Sequence, residues 1–303
     1  MGLKAHPYRA LHCSARVRAE GGLAVIKTIS YWSFQGGLEA TRPLKSAMQE
    51  AKDKGFEGIE LCLALTGELT PKTTRRQCEQ ILKDADAIGI SVASLCTGVY
   101  WTCSLTDDRA AVRKQAHAIT EKYLERASWL KVDAVLVVPG AVDVFFLPDA
   151  PVVPYQAVWQ RSQEQLKSLA RTAEKFKVSI AVENVWNRFL LSPVEMAYFV
   201  DSVGSDYVGC YVDVGNVMPF GYPQDWIRTL GPRVKRIHFK DFKRSVGNFN
   251  GFCDLTEGDV PWAEVMKALK SIGYKGPVTG EMMPYRPTLL DLTSTAMDWI
   301  LSL

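Results

Sequence analysis

From Val25 onward the chain repeats one pattern. A short apolar run rich in Val, Ile and Leu gives way to a polar loop and then to a longer segment whose apolar residues recur at helical spacing. Such alternation predicts parallel βα units. Eight runs read as strands: "VIKTISYW", "GIELCL", "SVASLC", "AVLVVPG", "VSIAVEN", "VGCYVDVG", "VKRIHFKD" and "PVTGEMM". Between them "PLKSAMQEAKDKG", "TTRRQCEQILKDADAIG", "DDRAAVRKQAHAITEKYLERASWLK", "YQAVWQRSQEQLKSLARTAEKFK", "SPVEMAYFVDSVG", "YPQDWIRTLG" and "PWAEVMKALKSIG" have helical periodicity, and "LLDLTSTAMDWILSL" supplies a final helix. The punctuation agrees. Ser192 before Pro193 is a natural N-cap and first-turn pair with Glu195 at the capping-box position, and Gly55, Gly89, Gly204 and Gly273 stand where helices should stop.

Eight such units fit a single α/β domain, a (β/α)8 TIM barrel over residues 25–303, better than an open doubly wound sheet with an added domain. The first 24 residues, "MGLKAHPYRALHCSARVRAEGGLA", are basic, poor in acids and without the apolar centre of a secretory signal. They read as a flexible N-terminal arm, or as sequence upstream of the true domain start. No run approaches the roughly eighteen apolar residues of a membrane span. With 36 basic against 33 acidic residues, the net charge of +3 is too balanced to indicate a nucleic-acid or membrane partner. Seven scattered cysteines without a CxxC spacing read as reduced thiols in a cytoplasmic protein.

In a barrel, chemistry gathers at the C-terminal ends of the strands. There the fifth strand offers Glu183 and Asn184, the sixth Asp213, the seventh His238 and the eighth Glu281. Glu183, Asp213, His238 and Glu281 follow one another at intervals of 30, 25 and 43 residues, each about one βα repeat, which sets them on four adjacent strands facing one point. Charged groups in apolar strands are costly to bury unless paired or coordinated. Three carboxylates and an imidazole form a hard, oxygen-rich set suited to one divalent ion, Mn²⁺ first, with Mg²⁺ or Co²⁺ also fitting, rather than to a thiolate-type zinc.

The motifs "VEN", "YVDVGN", "RIHFKDFKR" and "GEM", in this order, resemble the xylose-isomerase-like barrel superfamily. Within it they are similar to the sugar and sugar-phosphate isomerase/epimerase group, which includes the tagatose and allulose 3-epimerases and the xylulose-5-phosphate 3-epimerases. The resemblance implies a divalent ion held by Glu183, Asp213, His238 and Glu281, with the two glutamates acting as acid and base on opposite faces of a sugar. It also implies a substrate contact from the arginine six residues after the histidine, here Arg244. Barrels of this kind often pair, which makes a homo-oligomer, a dimer or tetramer, the expected state.

Two positions depart from the free-ketose pattern. Asn216 stands where those enzymes carry a histidine three residues after the aspartate, and Phe189 and Leu190 stand where a second glutamate would follow the fifth strand. The "DVGN" form is closer to the sugar-phosphate epimerases.

The chemistry that fits is C3 epimerisation of a ketose or ketose phosphate. A carboxylate removes the proton beside the carbonyl, a metal-stabilised cis-enediolate forms, and a second carboxylate returns the proton from the other face. Glu183 and Glu281 take these catalytic roles. Glu60, Asn216, Trp186, Trp101 and Lys240 join Arg244 as candidate substrate contacts, with Trp32 and Tyr100 as further sugar-stacking walls. Asn184, Asn187 and Arg188 are candidates for a polar rim, Lys240 and Asp241 for an ion pair supporting His238, and Lys243, Arg244 and Arg286 for a phosphate grip. An aldose-ketose isomerase, an inosose-type dehydratase and a keto-sugar lyase use the same metal and proton abstraction, and stay open as alternatives. A silent sugar-binding barrel is disfavoured by the complete ligand set. A multi-histidine endonuclease for abasic DNA is disfavoured because one histidine alone stands at a strand end and no basic surplus exists.

Overall fold

The computed structural model describes residues 25–303 except 145 and 148, and the expected N-terminal arm lies outside the described residues. Eight parallel strands close into a barrel in chain order: β1 (Lys27–Ser30), β2 (Gly58–Cys62), β3 (Ser91–Cys96), β4 (Ala134–Val137), β5 (Ser179–Glu183), β6 (Val208–Asp213), β7 (Val234–Phe239) and β8 (Val278–Gly280). All eight apolar runs form the expected strands. Around them stand α1 (Leu44–Asp53), α2 (Arg75–Ile88), α3 (Ala110–Trp129), α4 (Tyr155–Phe176), α5 (Pro193–Asp201), α6 (Pro223–Leu230), α7 (Trp262–Ser271) and α8 (Leu289–Ser302). No helix of the described residues is long and apolar enough to cross a membrane.

Local chemistry sets these boundaries. Gly55, Gly89, Gly204 and Gly273 all have positive φ, the left-handed conformation that ends a helix at no steric cost. Ser192 caps α5 by accepting the Glu195 N–H at 3.2 Å. The capping box closes one residue out of place, because the Glu195 carboxylate accepts from Leu191 at 2.8 Å and not from Ser192. Tyr155 donates to the other Glu195 oxygen and so ties the start of α5 to α4.

The core lies in two shells, between strands and helices and inside the barrel. Leu166, Leu169, Phe199, Ile227 and Leu269 are fully buried in the outer one, each contributing about 1.5–3 kcal/mol by leaving water. Inside, β7 shows how the barrel is layered, since alternate residues of a strand share a face. Arg236 pairs at the N-terminal end with Asp133, just ahead of β4. His238 follows in the middle layer and Lys240 at the C-terminal mouth. The polar-apolar alternation of "RIHFK" is therefore a column of inward polar groups separated by outward Ile237 and Phe239, both completely buried.

Candidate metal centre

The register of the strands delivers the four expected ligands to one place. Asp213 pairs with His238 across β6 and β7, and His238 with Thr279 across β7 and β8. Glu183 ends β5, and Glu281 follows β8 directly with its N–H on the Phe239 carbonyl at 3.1 Å. One ligand atom from each of Glu183, Asp213, His238 and Glu281 lies within 4.8 Å of the others, and all four residues are buried. Bonds of about 2.1–2.5 Å to one ion place opposite ligands about 4–5 Å apart.

The cluster is short of hydrogen bonds in a telling way. Nδ1 of His238 is 2.7 Å from Oε2 of Glu281, 3.5 Å from Oε1 of Glu183 and 3.9 Å from Oδ2 of Asp213. Yet Nδ1, Oε2 of Glu281 and Oδ2 of Asp213 are buried without a properly aligned hydrogen-bond partner among the described residues. A buried polar atom left without a hydrogen bond costs about 1–3 kcal/mol, and of the three Oδ2 of Asp213 has the Lys240 ammonium nearby, at 3.1 Å. A shared cation satisfies all of them, and this oxygen-rich set with one imidazole matches a hard divalent ion. The residues present therefore fit the metal.

Charge is unevenly shared. Burial pushes the Glu183 carboxyl up to about 7, a rise that His238 only partly offsets. Burial acts the same way on Glu281, but the charges of Lys240 and His238 outweigh it and hold that carboxyl down at about 2. Burial also raises Asp213, against the pull of Lys240. Burial opposes protonation of His238, and the negative charges of Glu60 and Glu281 more than reverse this, lifting its pKa well above the ordinary imidazole value.

Several expected contacts take other places. Glu60 is not a rim residue: it is completely buried, with Oε1 2.9 Å from Nε2 of His238. Asn216 is turned to the main chain, its N–H donating to Oδ1 of Asp213 at 2.9 Å and its Nδ2 to the Asn184 carbonyl at 3.1 Å. Lys240 does not pair with Asp241. Its Nζ lies 3.1 Å from Oδ2 of Asp213 and 2.9 Å from Oε1 of Glu281. Gly215 makes that approach possible, because a Cβ there would come within 2.6 Å of the Lys240 Cβ.

Asp241 instead accepts from the N–H groups of Phe242, Thr256 and Val260 and from the Trp262 indole, at 2.8 to 3.1 Å. Of the rim trio, Asn187 donates to the Gly140 carbonyl at 2.7 Å and Arg188 pairs with Asp143 at 2.7 Å. The three cations of the expected phosphate grip each have their own partner: Lys243 has Glu257 at 3.9 Å, Arg286 has Asp254, and Arg244 donates to the Gly221 carbonyl at 2.6 Å while lying 4.3 Å over the Tyr222 ring.

The mouth has an aromatic wall. Trp186, half-buried after β5, packs against Phe252 at 5.2 Å, Phe242 at 5.5 Å and Phe249 at 6.3 Å between ring centres, and Lys240 lies 5.5 Å over Phe252. Trp101, on the turn after β3, meets Phe146 edge-on at 5.2 Å. Phe242, Phe249 and Phe252 come from the stretch after β7, where Asp241–Phe242 pairs antiparallel with Phe252–Cys253. Sequence reading did not single out Phe252, nor Tyr211 and Ser94, which donate to Glu60 at 2.5 and 2.8 Å. Strand parity is the signal that would have found the last two: Tyr211 is two residues from Asp213 and shares its inward face, and Ser94 pairs in register with Glu60.

Comparison with known proteins agrees with this architecture. The family profile described as xylose isomerase-like TIM barrel matches residues 48–303. A D-psicose 3-epimerase of Enterocloster bolteae is 28% identical over 154 residues, 46% of this chain and 48% of that protein, so this match spans about half of the relative's length. An Escherichia coli protein named "Putative L-ribulose-5-phosphate 3-epimerase SgbU" is 25% identical over 238 residues, 77% of this chain and 81% of that one. Among solved structures, a D-psicose 3-epimerase crystallised in the presence of D-fructose superimposes with a TM-score of 0.75 at 19% identity, covering 92% of this chain and 100% of that one. That likeness speaks for the fold.

Proposed function

The chain belongs to the xylose isomerase-like TIM barrel family, and from that premise we propose that it is a divalent-metal-dependent isomerase that inverts C3 of a ketose or ketose phosphate. One observation carries the reading: two glutamates, Glu183 and Glu281, share a buried cluster with Asp213 and His238, all four offering a ligand atom to the same point. Relatives named as ketose and ketose-phosphate 3-epimerases support it.

Glu183, Asp213, His238 and Glu281 would hold the ion, Mn²⁺ in this reading, with Mg²⁺ or Co²⁺ suited to the same donors. When bound, it supplies Lewis-acid stabilisation of negative charge developing on the substrate oxygens, an effect worth several kcal/mol. The protein's own groups move the proton. One of Glu183 and Glu281 takes it from C3, leaving a cis-enediolate, and the other delivers a proton to the opposite face. Lys240, 2.9 Å from Oε1 of Glu281, restrains that carboxylate. Trp186 and Phe252 would form an apolar wall for the sugar and exclude water, with Trp101 and Arg244 as further contacts.

The test is proton NMR after incubation with Mn²⁺ in D₂O, on a panel of free ketoses and ketose phosphates, with the metal chelated before observation. Deuterium should enter at C3 together with new epimer signals. Glu183→Gln and Glu281→Gln should each abolish the exchange, while His238→Ala should chiefly weaken metal binding. Epimerisation surviving in either glutamate variant would overturn the two-base assignment. Metal-loaded protein without exchange on any of the panel would overturn the epimerase reading.

A further inference from the structure

We propose that Glu60 is a positioning residue that fixes the tautomer of His238 and thereby presents its Nδ1 lone pair to the metal. The inference rests on the metal site of the proposed function. Glu60 is completely buried in β2, across the barrel from β7, and its two oxygens are fully engaged. Oε2 accepts from the Tyr211 hydroxyl at 2.5 Å and from the Ser94 hydroxyl at 2.8 Å. Oε1 faces Nε2 of His238 at 2.9 Å.

An ionised carboxylate only accepts hydrogen bonds. Nε2 must therefore carry a proton, so the electron pair that an ion can take from the ring is the one on Nδ1, any second proton there leaving as the ion binds. Nδ1 is the atom turned toward Glu183, Asp213 and Glu281, and it is the one without a hydrogen-bond partner among the described residues. The Tyr211 ring lies against the imidazole with centres 4.2 Å apart, so it restrains ring rotation as well as holding the carboxylate. A carboxylate behind a ligating histidine fixes its orientation and raises its basicity, and loss of such a partner costs about 10–100-fold in metal affinity. Tyr211 and Ser94 keep Glu60 in place for this task.

Two measurements on the full chain test the role without using turnover. Calorimetric titration with Mn²⁺ should show binding about 10–100-fold weaker in Glu60→Gln than in the wild type, because the amide can accept or donate at Nε2 and no longer dictates which nitrogen is protonated. Long-range ¹H–¹⁵N spectra of the Mg²⁺-saturated wild type should show His238 with the proton on Nε2, and Mg²⁺ should shift Nδ1. The chain has only four histidines, so loss of one signal set in His238→Ala identifies it. A His238 protonated on Nδ1, or an unchanged Mn²⁺ affinity in folded Glu60→Gln, overturns the proposal. The wild-type spectrum does not depend on Glu60→Gln, so the proposal stays falsifiable if that variant does not fold. Wild-type protein that binds no Mn²⁺ refutes the metal site and this role together, whereas normal wild-type binding with an unaffected variant refutes the role alone.

Discussion

Asn184 holds the main chain of Asp213 with both ends of its carboxamide: Oδ1 accepts the Asp213 N–H at 2.9 Å and Nδ2 donates to the Asp213 carbonyl at 3.0 Å. Asn216 completes the clamp by donating back to the Asn184 carbonyl at 3.1 Å. Two asparagines at the ends of β5 and β6 thus set the direction of a candidate metal ligand between them. Asn184→Asp replaces the donor facing the Asp213 carbonyl with an oxygen. Denaturant titration should show a loss of about 1–3 kcal/mol, and Mn²⁺ titration a weaker site. Unchanged stability would show that the clamp contributes nothing.

Asp241 organises the stretch that carries Phe249 and Phe252 to the mouth. Its carboxylate accepts from Phe242, Thr256, Val260 and Trp262, and Gly258 allows the chain to close over it, since a Cβ there would lie 2.2 Å from Oδ1. Asp241→Ala leaves these buried donors without their acceptor, so a destabilisation of about 2–4 kcal/mol is expected. Faster proteolytic cleavage between residues 243 and 260 should accompany it. The effect on Mn²⁺ affinity should be small.

Removing metal should lower stability, because an ion that binds only the folded chain shifts the unfolding equilibrium. Saturation at a hundredfold excess over Kd adds about 2.7 kcal/mol. Calorimetric melting should therefore move upward with Mn²⁺ concentration and downward with a chelator. Asp213→Asn should remove most of this dependence. A melting temperature indifferent to Mn²⁺ would count against the cluster as a cation site.

Alkaline pH should unfold the protein cooperatively. Burial pushes the Tyr31 hydroxyl up to about 12 and raises Tyr100 and Tyr274 further, well above the ordinary tyrosine value near 10. The folded state favours their neutral forms, so their contribution is fully present below about pH 10 and is lost as pH rises toward the folded values. Absorbance titration at a tyrosinate wavelength should show the exposed tyrosines ionising first. The buried set should follow in one step with the loss of far-ultraviolet circular dichroism. Smooth, independent titration of every tyrosine in a folded chain would contradict this.

Local patterning was enough to determine the barrel and the convergence of four candidate ligands. Apolar runs of strand length, helices stopped by Gly55, Gly89, Gly204 and Gly273, and an acid or histidine at the ends of β5 to β8 are all properties of short segments. Strand order then follows from βα connectivity, and the βα interval carries Glu183, Asp213, His238 and Glu281 to one end of the barrel. Partnership across the barrel is a different matter. Glu60 and His238 are 178 residues apart and meet only because β2 and β7 face each other through the interior. Nothing local distinguishes that burial from a solvated rim. Lys240 likewise turned from its chain neighbour Asp241 to Asp213 and Glu281, because alternate residues of β7 point inward and Gly215 leaves room for it. Sequence spacing fixed which residues share a strand end, while tertiary closure decided which of them converge on one buried point, which pack behind that point, and which only hold the main chain.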